Sequence, residues 1–320
     1  KAAKGPSRRS FEIVNTGSKT ARRGRRALRY FQGPVETSGR LLFKRGENDL
    51  LTFTTLASGS LGNAALVSCG GTHILLDAGI SAKRITAGLA ELGVKPHQLS
   101  AILLTHEHSD HVSGLRVLSK KAGAPIYATR PTLREWYKRN RCDEVKDLFR
   151  PQEAGTGVQI GALWAESFPT PHDAAGSVGW SIAGEGGRVV LCTDLGCATE
   201  PVRRAVAGCD LLVCESNHDV DWVKSGPYPY YLKQRILGNC GHLSNEAGSE
   251  LAAFAVESGT KTVVLAHLSQ TNNTPARAYD AAALRLLAMG CDLERDVSLS
   301  VAPAAGLGRT FVLGKGAVVC

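Results

Sequence analysis

The sequence predicts an α/β protein built as a four-layer αββα sandwich, two sheets packed face to face with helices outside. Three observations lead there. From Leu51 onward the chain consists of short apolar, β-rich runs broken by Gly. Stretches with helical spacing separate many of those runs. The second half repeats this strand-then-helix style without repeating the sequence.

The segments LTFTTLA, NAALVSC and HILLDAG read as strands 51–57, 63–69 and 73–77, joined by SGSLG and CGGT turns. SAKRITAGLAELG has helical spacing through about residue 92, and strand 101–105 follows. A helix over 112–121, a strand at 125–129 and a helix at 130–139 complete this half. In the second half, strands are expected at 158–168, 178–183, 188–193, 210–215, 261–266 and 309–314. Helices are expected at 200–207, 228–237, 245–257 and 275–289.

A chain of 320 residues with 43% hydrophobic residues can bury a large core. Its net charge of +9 is unevenly placed. The first fifty residues hold 13 Lys+Arg against 4 Asp+Glu, and the rest of the chain carries 25 of each. Residues 1–50 are therefore read as a basic, disordered segment ahead of a neutral domain at 51–320. A phosphate-contacting arm is the competing reading. A transit peptide fits less well, because no amphipathic helix follows the Arg residues. Nine Cys without a CxxC pair, several of them inside apolar strands, suggest reduced thiols and a cytoplasmic setting. No apolar run approaches a membrane-spanning length, so no membrane partner is expected, and no obligate protein partner is evident.

Chemistry concentrates in HEHSDH, where His106, His108, Asp110 and His111 follow the apolar run Ala101–Thr105. Imidazoles and carboxylates clustered at the end of a rigid strand suit Zn²⁺, Mn²⁺ or Fe ions. One ion cannot easily use all four. His106 and His108 can face one ion while Asp110 and His111 reach toward a second, so the spacing suggests two metals. Asp77, His172, Asp194 and His267 also stand at strand ends, where an Asp or His directly after Val, Leu and Ile needs a polar partner.

In this order, Asp77, HEHSDH, His172, Asp194 and His267 resemble the metallo-β-lactamase superfamily from about Leu51 to near the C-terminus. The resemblance implies two divalent ions, Zn or Mn. His106, His108 and His172 would hold one, Asp110, His111 and His267 the other, and Asp194 would bridge them. Asp77 would orient the cluster by accepting hydrogen bonds. Flavodiiron oxygen reductases place Glu where His108 stands, which argues against redox work.

Within the superfamily, LASGSLGNAALV, ESNHD, GHLSNEA and AHLSQTNN are similar to the YycJ/WalJ-type exonucleases, regarded as acting from the 5′ end of DNA. What this implies is a nucleic-acid phosphodiesterase, with DNA favoured over RNA. A metal-bridging hydroxide would attack the phosphate, and Asp110, His242 and Asp77 would carry catalytic roles. Two divalent ions less two carboxylates and one hydroxide leave a core of about one positive charge, suited to phosphate. His242, just before a helix, would bind the phosphate and assist the leaving 3′ oxygen. A tRNase Z-like endonuclease and a glyoxalase II-like thioesterase are the alternative activities.

Two further segments are candidates for substrate contact. Ser58, Ser60 and Asn63, in the loop 58–63, are candidate phosphate-cradling residues, although Gly-rich hairpin turns are common. Trp222, Tyr228, Tyr230 and Tyr231, interleaved with Lys224, Lys233 and Arg235, would either stack on bases or pack on the sandwich. The neutral charge of residues 51–320 requires a local source of positive field, sought in this insertion or in the basic segment. The roles of Glu215 and His218 stay open.

Overall fold

A computed structural model describes residues 49–314. The basic segment expected over 1–50 lies, but for its last two positions, outside the described residues. Strands β1 (Thr52–Ala57), β2 (Ala64–Cys69), β3 (Thr72–Leu76), β4 (Ala101–Leu103), β5 (Ile126–Thr129) and β6 (Phe149–Gln152) belong to one sheet. Strands β7 (Gly157–Ile160), β8 (Leu163–Pro169), β9 (Val178–Gly184), β10 (Gly187–Cys192), β11 (Leu211–Glu215), β12 (Thr262–Ala266) and β13 (Ser298–Val301) form the other. The short β14 (Phe311–Val312) returns to the first sheet and pairs with β1. Spatial order is β14-β1-β2-β3-β4-β5-β6 in one sheet and β13-β12-β11-β10-β9-β8-β7 in the other.

The helices of the first half are α1 (Ala82–Glu91), α2 (Ser109–Val112), α3 (Leu115–Ala122), α4 (Arg130–Asn140) and α5 (Asp143–Lys146). Those of the second half are α6 (Glu200–Val206), α7 (Val220–Ser225), α8 (Tyr230–Leu237), α9 (Asn245–Glu257) and α10 (Pro275–Ala288). Two-residue periodicity builds the layers. Ile74 and Leu76 of β3 and Leu103 of β4 point between the sheets, where they meet Trp180, Ile182, Val213 and Val264. Their neighbours Leu75 and Ile102 point outward, against Ile85 and Leu89 of α1 and Leu115 and Leu118 of α3. On the far side, Leu212 and Cys214 face α6 and α9, while Val263 and Leu265 face α9 and α10. Each buried Val, Leu or Ile contributes about 1.5–3 kcal/mol, so a one-residue slip of any central strand would exchange two cores.

The sandwich agrees with the sequence reading, and several boundaries differ. The run expected as one strand over 158–168 is the hairpin β7–β8, turning at Gly161 with φ of 53°. The helix expected over 112–121 is interrupted. One-turn α2 ends at Val112 and α3 starts at Leu115, because Gly114 packs where a Cβ would lie 2.1 Å from the carbonyl oxygen of Ile80. The expected strand 309–314 pairs only over Phe311–Val312. Strands β6 and β13 and helices α5 and α7 carry no pattern that the reading recognised; β6, FRPQ, is a polar edge strand containing Pro.

Candidate metal centre

Strands β3 and β4 run parallel, as do β10, β11 and β12. Their C-terminal ends carry the candidate residues: Asp77 one position past β3, Asp194 two past β10, Glu215 last in β11 and His267 one past β12. Asp77, Asp194 and His267 have φ of 57°, 60° and 56°. Such left-handed non-Gly residues cost of order 1–3 kcal/mol and persist only where surrounding bonds over-determine them. At these three positions the bonds are visible. The backbone N–H of His267 donates to Ser58 Oγ at 2.9 Å, that of Asp77 to the Leu103 carbonyl at 2.8 Å, and that of Asp194 to Glu215 Oε1 at 3.2 Å.

HEHSDH leaves β4 and closes into α2, so its ligand types lie on a tight turn. That turn is sewn to its neighbours. Asn63 N–H donates to the Asp110 carbonyl and Ala78 N–H to the His111 carbonyl, each at 2.8 Å. Gly79 lies so close that a Cβ there would sit 1.6 Å from the Asp110 carbonyl oxygen.

The turn brings the distant residues together. One nitrogen each from His106, His108 and His172 lies within 4.8 Å of the others, and so do ligand atoms of Asp110, His111 and His267. His106, His111 and Asp194 form a third such group, joining the first two. His172 Nε2 approaches His108 Nδ1 at 3.3 Å, and His111 Nε2 approaches Asp194 Oδ2 at 3.3 Å. His267 Nε2 stands 3.4 Å from Asp110 Oδ2.

The opposite ring nitrogens are committed to the protein. His111 Nδ1 donates to Asp77 Oδ2 at 2.8 Å, His172 Nδ1 to the Gly241 carbonyl at 3.1 Å and His267 Nδ1 to Glu215 Oε1 at 2.8 Å. His106 Nδ1 meets Thr105 Oγ1 at 3.0 Å. Ligating histidines are oriented in this way, with the outer nitrogen held and the inner one turned toward the ion. Among the described residues, His106 Nε2 and Asp194 Oδ2 are buried without a hydrogen bond, Asp194 Oδ2 having only the 3.3 Å approach of His111 Nε2, and both atoms' residues belong to the group that joins the two triads. Buried polar atoms left so cost about 1–3 kcal/mol each, which a bound cation would offset. The donor set fits Zn²⁺ or Mn²⁺.

Protonation follows the same crowding. Burial drives His106 well below its ordinary value, and the neighbouring His111, His172 and His108 push it further down. Burial also opposes charge on His267, but Asp194, Asp110 and Glu215 outweigh it and push the ring up to about 10. In His111, burial is again outweighed, by Asp194 and Asp77, which raise it well above the usual range. Without a cation, protons on these two rings balance the buried carboxylates; divalent ions would displace them.

Glu215, left open by the sequence, is fully buried and anchors the second half of the cluster. Its Oε1 accepts from Nδ1 of both His267 and His242, at 2.8 and 2.9 Å, and Oε2 accepts from the backbone N–H of Leu195 and Leu243. Its place at the last residue of an apolar strand was the available signal. His218 is buried beside Asn217, with its Nδ1 3.3 Å from Asn217 Oδ1. Thr105 was missed altogether. Its Oγ1 donates to Asp77 Oδ2 at 2.9 Å, tying the strand end to the residue that orients His111.

The cluster opens into a cavity of about 360 Å³ lined by His108, Asp110, Asp194 and His267, by His242, and by Ser60, Arg139 and Arg235. Of the loop residues proposed to cradle phosphate, only Ser60 reaches this cavity. Ser58 Oγ serves His267, and Asn63 bonds Gly59 and approaches His111 Nε2 at 3.1 Å. In the aromatic segment, Tyr230 and Tyr231 are 76% and 74% exposed, whereas Trp222 lies under the Arg277 guanidinium, 4.3 Å from the ring centre. Leu232, Arg235 and Ile236 of α8 form a cavity wall, and Arg235 pairs with Asp173.

Residues 72–268 match the family model of the β-lactamase superfamily domain. The exodeoxyribonuclease WalJ of Streptococcus pneumoniae is 38% identical over 231 residues, 71% of this chain and 85% of that protein. The exodeoxyribonuclease YycJ of Bacillus anthracis is 36% identical over 225 residues, 70% of this chain and 84% of that protein. Among solved structures, the metallo-β-lactamase fold protein YhfI of Bacillus subtilis superposes with a TM-score of 0.60 at 18% identity, covering 81% of this chain and 99% of that one. With the ligand motifs and the sandwich in place, these likenesses make the chain a member of the metallo-β-lactamase superfamily, in the family of the WalJ and YycJ exodeoxyribonucleases.

Proposed function

We propose that this protein is a dinuclear-metal phosphodiesterase that degrades DNA from the 5′ end. One observation carries the reading. Four imidazoles, held from behind by Asp77, Glu215, Thr105 and the Gly241 carbonyl, converge with His108, Asp110 and Asp194 at the floor of a cavity. His106, His108 and His172 would hold one divalent ion, and Asp110, His111 and His267 the other, with Asp194 between. Such ions supply Lewis acidity toward a phosphoryl oxygen and an activated water near neutral pH.

The chain's own groups supply the rest. His242 lines the cavity, and with Nδ1 bonded to Glu215 it presents Nε2 to the substrate. Burial disfavours its charged form, but Glu215 outweighs burial and raises its pKa, suiting it to donate a proton to the departing 3′ oxygen. Ser60 is the loop hydroxyl available to the phosphate. The relatives' action on DNA supports this substrate over RNA or a thioester. Buried Cys192 and Cys214, whose thiols burial pushes up, support a reducing, cytoplasmic setting. Among the described residues no helix is long and apolar enough to cross a membrane.

The test is purified protein supplied with Mn²⁺ or Zn²⁺ and offered end-labelled single- and double-stranded DNA, RNA and a glutathione thioester. Mononucleotides released from the 5′ end of DNA are expected. Internal RNA cleavage would move the protein to a tRNase Z-like activity, and thioester cleavage alone would overturn the reading.

A further inference from the structure

The cavity has two arginines at its wall, and they are not equivalent. Arg235 is neutralised by Asp173, which lines the same cavity. Arg139, in the last turn of α4, has no carboxylate within 4.0 Å among the described residues. Its guanidinium makes one long bond, 3.5 Å, to the Glu107 carbonyl. It is therefore a cation beside the candidate metal ligands with most of its donors free. A guanidinium offers five N–H donors in a fork that matches phosphate oxygens.

On helix α4, Arg134 and Lys138 share Glu135 and Arg130 pairs with Glu153, so Arg139 is the α4 cation whose charge is least compensated among the described residues. Arg139 is thus a local positive charge of the kind that the neutral composition of residues 51–320 called for, on α4 and outside the segments where it was sought. The cavity, about 360 Å³, is at the small end for ligand sites. It has room for about one nucleotide of a polymer, so the phosphate that follows the scissile one reaches the wall where Arg139 stands.

We propose that Arg139 binds the phosphate next to the scissile one and so selects polynucleotides over isolated phosphodiesters. This rests on the phosphodiesterase reading and adds the residue that recognises the polymer. Arg139 takes no part in bond breaking. It positions the strand.

The test compares wild type, Arg139→Ala and Arg139→Lys on an oligodeoxynucleotide and on the p-nitrophenyl ester of thymidine 5′-phosphate, which has no neighbouring phosphate. Arg204→Ala, at an exposed side chain of α6, serves as a charge control. In Arg139→Ala the ratio of kcat/KM for oligonucleotide to that for the ester should fall roughly tenfold to a hundredfold, mainly through KM, as for loss of a charged hydrogen bond. Lys should restore part of it, and Arg204→Ala should leave the ratio alone. Binding of labelled oligonucleotide to metal-free protein gives a second readout. The slope of log affinity against log salt should flatten by about 0.7 for one lost single-strand contact. An unchanged ratio in Arg139→Ala overturns the proposal. If wild type cleaves neither substrate, the phosphodiesterase reading fails instead, and an unchanged salt slope then overturns the role of Arg139.

Discussion

Glu215 and His242 are joined by a 2.9 Å hydrogen bond from the imidazole Nδ1 to carboxylate Oε1, and the same oxygen receives Nδ1 of His267 at 2.8 Å. One buried carboxylate thus orients both the cavity-facing imidazole and a candidate ligand. Glu215→Gln keeps the shape and removes the charge. Metal affinity and turnover should each fall about 10- to 100-fold, the usual cost of losing a partner behind a ligand. Elemental analysis and steady-state rates check this; a variant with full metal content and full activity would relegate Glu215 to packing.

His242 itself is tested separately. Because it lies behind none of the six ligands of the two triads, His242→Ala should retain metal stoichiometry. Its kcat should fall by about 10²–10⁴, the range for a lost general acid. Unchanged turnover would take the residue out of the mechanism.

Gly79 carries no chemistry, and the site depends on it. A methyl group there would collide with the Asp110 carbonyl at 1.6 Å, so Gly79→Ala must push the HEHSDH turn away from β3. The expected cost is about 1–3 kcal/mol of stability, with weaker binding at the ion held by Asp110. Urea unfolding and metal titration measure the two effects. An unshifted midpoint would mean that the turn moves freely.

His218 gives a pH signature of stability. Burial lowers its pKa to about 4, against smaller opposing effects of Glu215, Glu246 and Asp219. An unfolded His titrates near 6.5, so between about pH 6.5 and 4 the unfolded chain binds a proton that the folded chain refuses. Stability contributed by this group is complete above that window and falls as the pH drops through it, by roughly 3 kcal/mol in all. Between pH 7 and 4 metal-free wild type should lose stability that His218→Gln does not, its denaturant midpoint moving down relative to that of the variant. Parallel curves would show that His218 is not the group responsible.

The sandwich was legible because its signal is local. The uninterrupted apolar runs ILL of β3 and AIL of β4 feed two different cores with alternate residues, and such runs are written in adjacent letters. The ligand types were legible for the same reason, since HEHSDH packs them into six positions and Asp77, Asp194 and His267 each follow an apolar strand. Half-buried edges such as SLSV of β13 were lost because they bury no regular face.

By itself, then, the amino-acid order determined the layers, the strand ends and the kinds of donor waiting there. Which nitrogen each ring turns inward was decided only by tertiary contacts, such as the bond from His267 Nδ1 to Glu215 Oε1 across 52 positions of chain. So were the inward turn of Ser58 and Asn63, the double grip of Glu215 and the place of Arg139 at the cavity wall. A hydrogen bond depends on distance and direction in space, and neither is set until segments far apart in sequence have packed.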